Sequence, residues 1–135
     1  MRTRIASAAG LPDESQRRVL VVSTGFVGRI VQVSLERAGH SVAIASDPQA
    51  ALERLGDAVP DLLVIDLDLP ELADGLALLR RIRRLYPPAA LPIAMLGDAC
   101  DGEIVAQACS AGADFGLTKP FDPAALTRFL NSRGR

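Results

Sequence analysis

Short apolar runs alternate along the chain with segments in which apolar residues recur at helical spacing. The runs are rich in β-branched residues and are about as long as typical strands. Near-continuous apolar strands are typical of a parallel sheet that is buried on both faces. The pattern predicts five strands, at residues 18–22, 41–45, 62–65, 92–96 and 114–117.

Helix signals follow each of these runs. The first helical segment has apolar residues at helical spacing and ends at a glycine: Phe26, Ile30, Val33, Leu35 and Gly39. Asp47 and Pro48 predict the N-cap and first turn of a second helix, which stops at Gly56. Further helices are predicted over residues 72–86, over residues 101–111 and from residue 122 onward. Alternating strands and helices predict an α/β domain, a three-layer α/β/α sandwich around a parallel sheet.

The length of 135 residues corresponds to about one domain. We expect residues 1–16 to form a flexible N-terminal tail and residues 17–135 to form the domain. Hydrophobic residues make up 49% of the chain, and no apolar run approaches the ~20 residues that a membrane span needs. The sequence therefore predicts a soluble, cytoplasmic protein.

Charge and the rarer residue types exclude several kinds of site. The formal net charge is −1, so no overall field attracts nucleic acid. Two cysteines, Cys100 and Cys109, are too few for a disulfide framework or a four-ligand zinc site, and we expect buried or half-buried thiols. The single histidine, His40, is expected at a turn, without a second imidazole to share a metal. One basic cluster on a predicted helix is interpreted as a solvated face: Arg80, Arg81, Arg83 and Arg84.

Lys119 is the single lysine of the chain, and it follows the fifth predicted strand. A lysine is a compact charge on a flexible stem, which suits contact with an anion at a strand end. Asp66 directly follows the apolar run of the third strand. Ligands of open parallel sheets bind at the carboxyl ends of the strands, so we expect Asp66 and Lys119 to converge on one edge. A carboxylate near an ammonium keeps its charge, which suits a nucleophile with a cation beside it.

From residue 18 to about residue 130 the sequence resembles the receiver domains of bacterial two-component response regulators. The matching motifs are residues 60–70 (PDLLVIDLDLP), the triplet 112–114 (GAD) and residues 119–121 (KPF). The resemblance implies a flavodoxin-like fold with strand order 2-1-3-4-5. It implies that Asp66 accepts a phosphoryl group from a histidine kinase and that Lys119 contacts this group. In the family the peptide bond that matches Lys119–Pro120 is typically cis.

Several positions depart from the family's pattern. Ser23 and Thr24 stand where the family has two adjacent carboxylates, so we expect Mg²⁺ to bind weakly at best. Gly97 replaces a Ser or Thr whose hydroxyl meets the phosphoryl group. Gly116 replaces the switch aromatic, while Phe115 lies one residue out of register and is expected on the other face of the sheet.

Two further acids, Asp68 and Asp98, could partly restore the acidity of the pocket. Together with Asp66 they form a candidate weak metal site, and an interpretation of both as surface residues is equally open. We therefore predict a non-enzymatic, atypical receiver that signals in a phosphorelay. Its expected partners are a histidine kinase or phosphotransfer protein and a downstream target protein.

A second function fits the first strand and helix. Gly25 and Gly28, with an acid about 20 residues later, resemble the opening of a short-chain-type dinucleotide-binding oxidoreductase. The first glycine of that pattern is missing, because Val22 occupies it. Tyr86 and Lys119 have the wrong spacing for a catalytic pair. The two glycines are more simply a strand-to-helix turn and a close helix–sheet contact.

The third interpretation is an interaction module without phosphoryl chemistry. It would present the face formed by the fourth helix, the fifth strand and the fifth helix, around residues 103–111 and 125–128. We expect no output domain after Arg135 and therefore expect the signal to leave by protein contact. A homodimer through the same face remains open at this point.

Overall fold

The five predicted strands are present and form one parallel sheet. The computed structural model describes residues 16–67, 72–98, 102–119, 122 and 124–133. The sheet order is β2-β1-β3-β4-β5, and all neighbouring strands run parallel. The flavodoxin-like order 2-1-3-4-5 is therefore confirmed. The strands are β1 (Arg18–Val22), β2 (Ser41–Ala45), β3 (Leu62–Asp66), β4 (Ile93–Asp98) and β5 (Phe115–Lys119).

Helices cover both faces of this sheet. Buried side chains of α1 and α5 share one core with one side of the sheet, and those of α2, α3 and α4 share a second core with the other side. This arrangement confirms the three-layer α/β/α sandwich. The helices are α1 (Phe26–Arg37), α2 (Pro48–Asp57), α3 (Leu72–Leu85), α4 (Gly102–Ser110) and α5 (Ala124–Arg133).

Alternate residues of the central strands enter the two cores. Val21 and Val64 pack in the layer of α1 together with Leu35, whereas Ile65 packs in the opposite layer with Leu79. All five side chains are fully buried. Burying a side chain of this size is worth roughly 1.5–3 kcal/mol. The period-two alternation therefore fixes which layer each later strand residue faces.

Strand ends differ from the predictions by one or two residues. β3 extends to Asp66 and β4 extends to Asp98, whereas β5 begins at Phe115 rather than at Asp114. The Asp114 backbone N–H donates to the Ile93 carbonyl at 2.8 Å, and the Asp114 carboxylate accepts from the Ile93 N–H at 2.7 Å. Asp114 thus binds the start of β4 with its side chain and closes the loop before β5.

The helix signals are largely confirmed. Asp47 caps α2, since its Oδ1 accepts a hydrogen bond from the Ala50 N–H at 2.8 Å. Gly39 follows α1 with a φ of +99°, the left-handed conformation that favours glycine. The stop predicted at Gly56 is one residue early, because α2 continues to Asp57.

Arg83 corrects the prediction of a solvated arginine face, while the other three arginines of that cluster are exposed. Its side chain is 9% exposed and forms a 3.0 Å ion pair with Asp114. Its guanidinium also donates to the carbonyls of Gly112 (2.7 Å), Leu91 (2.7 Å) and Tyr86 (3.1 Å). Burial lowers the pKa of Arg83, and the Asp114 carboxylate partly offsets this effect. Arg83 therefore joins the end of α3 to the segments that precede β4 and β5.

His40 directly follows the turn after α1 and is buried, and its Nδ1 accepts a hydrogen bond from the Arg17 backbone N–H at 3.0 Å. Cys109 is exposed rather than buried. Packing around its sulfur, and then the charge of Asp114, raise the pKa of its thiol. Cys100 and nearly all of the predicted tail lie outside the described residues.

Candidate functional site

Ser23 and Asp66 lie side by side at the carboxyl edge of the sheet. The β1–β3 register pairs Val22 with Ile65, so the next residue of each chain segment falls at the same level. The Ser23 hydroxyl donates a hydrogen bond to Asp66 Oδ2 at 3.2 Å. Ser23 is 3% exposed and Asp66 is 5% exposed, so the contact is buried. A buried carboxylate at this edge occupies the place where open α/β sheets bind ligands.

The turn from β1 into α1 holds Ser23 from two sides. The Gly25 backbone N–H donates to Ser23 Oγ at 3.2 Å. A Cβ at Gly28 would lie 2.8 Å from Ser23 Cβ and 3.0 Å from Ser23 Oγ, so α1 packs directly on this side chain. This is the close helix–sheet contact that was the simpler interpretation of Gly28.

Lys119 ends β5 at the same edge of the sheet. The register pairs Asp66 with Leu96 in β4, and Leu96 with Leu117 in β5. Lys119 therefore lies two residues beyond the level of Asp66, with β4 between the two strands. The predicted convergence of these strand ends is present in the backbone, and the contact of the Lys119 side chain with Asp66 stays a prediction. Pro120 lies outside the part of the chain that is described.

Mg²⁺ is the cofactor that receiver domains typically bind at an acidic pocket, and the donor set here fits it poorly. Ser23 is neutral and its hydroxyl is directed at Asp66, while Thr24 is exposed. Asp98 is half-buried at the end of β4, and Asp68 lies outside the described residues. Across residues 16–67, 72–98, 102–119, 122 and 124–133, no group of three or more His, Cys, Asp or Glu side chains could hold a metal ion. Mg²⁺ favours carboxylate oxygens in near-ideal octahedral geometry, which these residues do not provide.

The altered positions on β4 and β5 differ in their surroundings. Gly97 is buried in β4. Phe115 packs on Phe129 of α5 with 4.6 Å between ring centroids, on the layer opposite α4 as the register predicted. A Cβ at Gly116 would overlap Val105 Cγ1 of α4. The Val105 side chain of α4 therefore occupies the space beside Gly116, the position at which the family has its switch aromatic.

An exposed apolar stripe on α1 is a feature that the sequence analysis did not identify. Phe26, Ile30 and Val33 belong to the predicted helical set, and they are 76%, 41% and 47% exposed. The core side carries Gly28, Val31 and Leu35, of which Leu35 belongs to the predicted set. Both sets have helical spacing, so the spacing alone could not choose between them. The stripe lines a shallow groove of about 480 Å³.

The predicted interaction face has a different character. Along α4 the exposed residues are small or polar, including Glu103, Ala106, Gln107 and Ser110. Within the described ranges, neither α4, β5 nor α5 carries a large exposed hydrophobic side chain. The face of α1, which begins beside Ser23 and Asp66, is thus the more apolar surface.

Comparisons with known proteins agree with this architecture. The model of the response regulator receiver domain family matches residues 20–131. CseB of Streptomyces coelicolor, a transcriptional regulatory protein, is 39% identical over 112 residues, which are 82% of this chain and 46% of that protein. The chain thus spans about half the length of the curated relatives it matches.

Two solved receiver structures match this chain over nearly their full length. The receiver domain of NtrX from Brucella abortus is 30% identical with a TM-score of 0.75, and the match covers 86% of this chain and 96% of that one. The chemotaxis response regulator CheY4 of Vibrio cholerae is 27% identical with a TM-score of 0.74, and the match covers 89% and 99%. Among the described helices, none is long and apolar enough to cross a membrane.

Proposed function

This chain belongs to the response regulator receiver domain family, and from that membership we propose that it signals in a bacterial phosphorelay with Asp66 as phosphoacceptor. One observation carries the proposal: Asp66 is a buried carboxylate at the carboxyl edge of the parallel sheet. Ligands of such sheets bind at this edge. The end of β5, which carries Lys119, lies at the same edge.

The proposed reaction moves a phosphoryl group from a phosphohistidine nitrogen to a carboxylate oxygen of Asp66. An O–P bond forms while the N–P bond breaks, and the imidazole nitrogen leaves with the electron pair and takes up a proton. The product is an acyl phosphate on Asp66. Such transfers depend on positioning and on stabilisation of the charge on the transferred group. We propose that the Lys119 ammonium supplies that positive charge.

We propose that the phosphodonor protein docks on the apolar stripe of α1. Phe26, Ile30 and Val33 form this stripe, and exposed Arg29 and Arg37 line the same groove. A helix with an apolar face and acidic flanks would complement it in both shape and charge. Because α1 starts one turn from Ser23, a partner on this stripe reaches the rim of the Asp66 pocket.

Intact mass measurement tests the phosphoacceptor. The wild-type protein incubated with a small phosphodonor should gain the mass of one phosphoryl group, and Asp66→Asn should gain none. Asp57→Asn, which removes an exposed carboxylate on α2, is the matched control and should react like the wild type. A modification that persists in Asp66→Asn would assign the phosphoacceptor to another residue.

Comparing two phosphodonors tests the docking surface. Ile30→Ser should slow transfer from a phosphorylated histidine-phosphotransfer domain, while its reaction with the small phosphodonor stays at the wild-type rate. Leu85→Ser is the control, because Leu85 is 64% exposed on α3, away from the stripe. Equal slowing by both variants, or by both donors, would contradict docking on α1.

The interaction module without phosphoryl chemistry is the second candidate. It is favoured by the neutral Ser23 and Thr24 at the acidic positions and by the direct packing of Val105 on Gly116. Such a module would bind its target in a single, unphosphorylated state. Absence of any mass gain in the wild type, with its fold intact, would support this candidate over the first.

A further inference from the structure

We infer that the Ser23 hydroxyl, rather than a divalent cation, holds Oδ2 of the Asp66 carboxylate, which makes Ser23 a positioning residue of this pocket. The contact is a buried hydrogen bond of 3.2 Å between two segments that are 43 residues apart in sequence. The inference deepens the proposed phosphoacceptor role of Asp66. Its claim about the metal can be tested without phosphorylation.

The direction of the hydroxyl follows from its two partners. A serine hydroxyl has one proton and two lone pairs. Ser23 Oγ accepts from the Gly25 N–H at 3.2 Å, so its own proton is directed at Asp66 Oδ2. The chain of donors runs from Gly25 through Ser23 to Asp66. Because Ser23 and Asp66 are both buried, water competes weakly for this contact.

Helix α1 closes the space on the other side of Ser23. A Cβ at position 28 would approach Ser23 Cβ to 2.8 Å, and only glycine avoids that overlap. Mg²⁺ keeps several water ligands and needs octahedral space around it. The backbone of α1 lies against Ser23, where the family has one of its two carboxylates. The neutral charge of this side chain therefore disfavours a hydrated cation beside Asp66.

The function of this hydrogen bond is to restrict rotation of the Asp66 carboxylate. An acceptor oxygen must be held in the correct geometry for attack on phosphorus, and misplacement slows such reactions. Ser23 provides that restraint without adding charge. In the proposed reaction Ser23 stays uncharged and transfers no proton.

A Mg²⁺ titration followed by backbone amide NMR shifts tests the metal claim on the full chain. We expect no saturable shift at residues 23, 66 and 119 of the wild type across the millimolar range. The double variant Ser23→Asp with Thr24→Asp should show saturable shifts. Saturable binding to the wild type that is lost in Asp66→Asn would overturn the inference, whether or not the double variant folds.

The carboxyl carbon shift of Asp66 tests the hydrogen bond itself. Ser23→Ala should move this resonance because the donor is removed, whereas Thr24→Ala should leave it unchanged because Thr24 is exposed. An unchanged resonance in Ser23→Ala would show that Ser23 does not hold Asp66. Both outcomes are independent of any phosphoryl transfer.

Phosphorylation kinetics then test positioning. With phosphoramidate, the carboxylate forms an O–P bond, the P–N bond breaks and ammonia leaves with the electron pair. We expect the wild-type rate to be the same with Mg²⁺ and with a chelator, and Ser23→Ala to be slower by about tenfold, since a hydrogen bond to a charged group is lost. Unchanged kinetics in Ser23→Ala would reject the positioning role. If no variant is phosphorylated, the phosphoacceptor role of Asp66 fails, while the titration and the carbon shift still decide the inference about Ser23.

Discussion

Asp66 and Asp114 are both acids at the ends of strands or loops, yet the contacts that the structure describes for their carboxylates differ. Asp114 is paired with the Arg83 guanidinium at 3.0 Å and also accepts the Ile93 N–H at 2.7 Å. Asp66 is more deeply buried, and the Ser23 hydroxyl is neutral. The Asp114 carboxylate is therefore held by a charged donor, whereas the Ser23 hydrogen bond to Asp66 comes from a neutral donor.

This difference indicates a structural role for the Asp114 carboxylate and a chemical role for the Asp66 carboxylate. Removing the cation from this partly buried pair leaves the Asp114 carboxylate without its ion partner and several carbonyls without donors, so the Arg83–Asp114 junction should be sensitive to mutation. Removing the Ser23 hydroxyl deletes a single hydrogen bond, so it should cost less stability than removing Arg83. Stability should thus depend on the junction, whereas reactivity should depend on the pocket.

The largest expected effect is at the junction. Arg83→Ala should lower the free energy of unfolding by about 3 kcal/mol, since it deletes the ion pair and three hydrogen bonds to carbonyls. Urea unfolding would measure it. Arg84→Ala is the control, because Arg84 is exposed, and it should change stability by less than about 0.5 kcal/mol. Similar losses in both variants would show that Arg83 behaves as a surface residue.

The second effect concerns the contact between α4 and β5. Gly116→Ala should destabilise the protein by about 1–3 kcal/mol, because its Cβ would overlap Val105 Cγ1. Adding Val105→Ala should recover part of that loss, which a double-mutant cycle in thermal unfolding would detect. Additive losses would mean that these two residues do not compete for the same space.

A smaller effect on stability is expected beside the pocket. Gly28→Ala gains up to about 1 kcal/mol of helix propensity, but its Cβ must displace Ser23. The net change in unfolding free energy should therefore be small, while the carboxyl carbon shift of Asp66 changes. Gly56→Ala is the control, since a Cβ there meets nothing within 4 Å. An unchanged carbon shift in Gly28→Ala would show that the packing of α1 on Ser23 does not affect the Asp66 carboxylate.

The smallest effect is chemical and lies next to the junction. Packing around the sulfur, followed by the charge of Asp114, raises the pKa of the Cys109 thiol. Because the thiolate is the reactive form, Cys109 should be alkylated more slowly than glutathione near pH 8, despite its exposure. Peptide mass mapping after iodoacetamide treatment would give the rate. Reaction as fast as glutathione would contradict the raised pKa.

Much of the fold followed from the sequence because its signals are local. The short β-branched runs defined five strands, and the Asp47 cap and Gly39 marked helix ends that the structure confirms. Strand periodicity also assigned Phe115 and Gly116 to opposite faces correctly. The assignment of Asp66 and Lys119 to the same edge followed from parallel topology, which places all carboxyl ends together.

What the sequence by itself determined is the order of elements, the class of fold and the family, since each depends on periodicities and motifs that are present in neighbouring residues. Tertiary structure alone decided which face of α1 is buried, which arginine enters the interior and which neighbour holds Asp66. These outcomes depend on pairs far apart in the chain, such as Ser23 with Asp66 and Arg83 with Asp114. The physical reason is that burial and hydrogen bonding are decided by the distances between elements, and those distances exist only once the sheet and its helices are packed together.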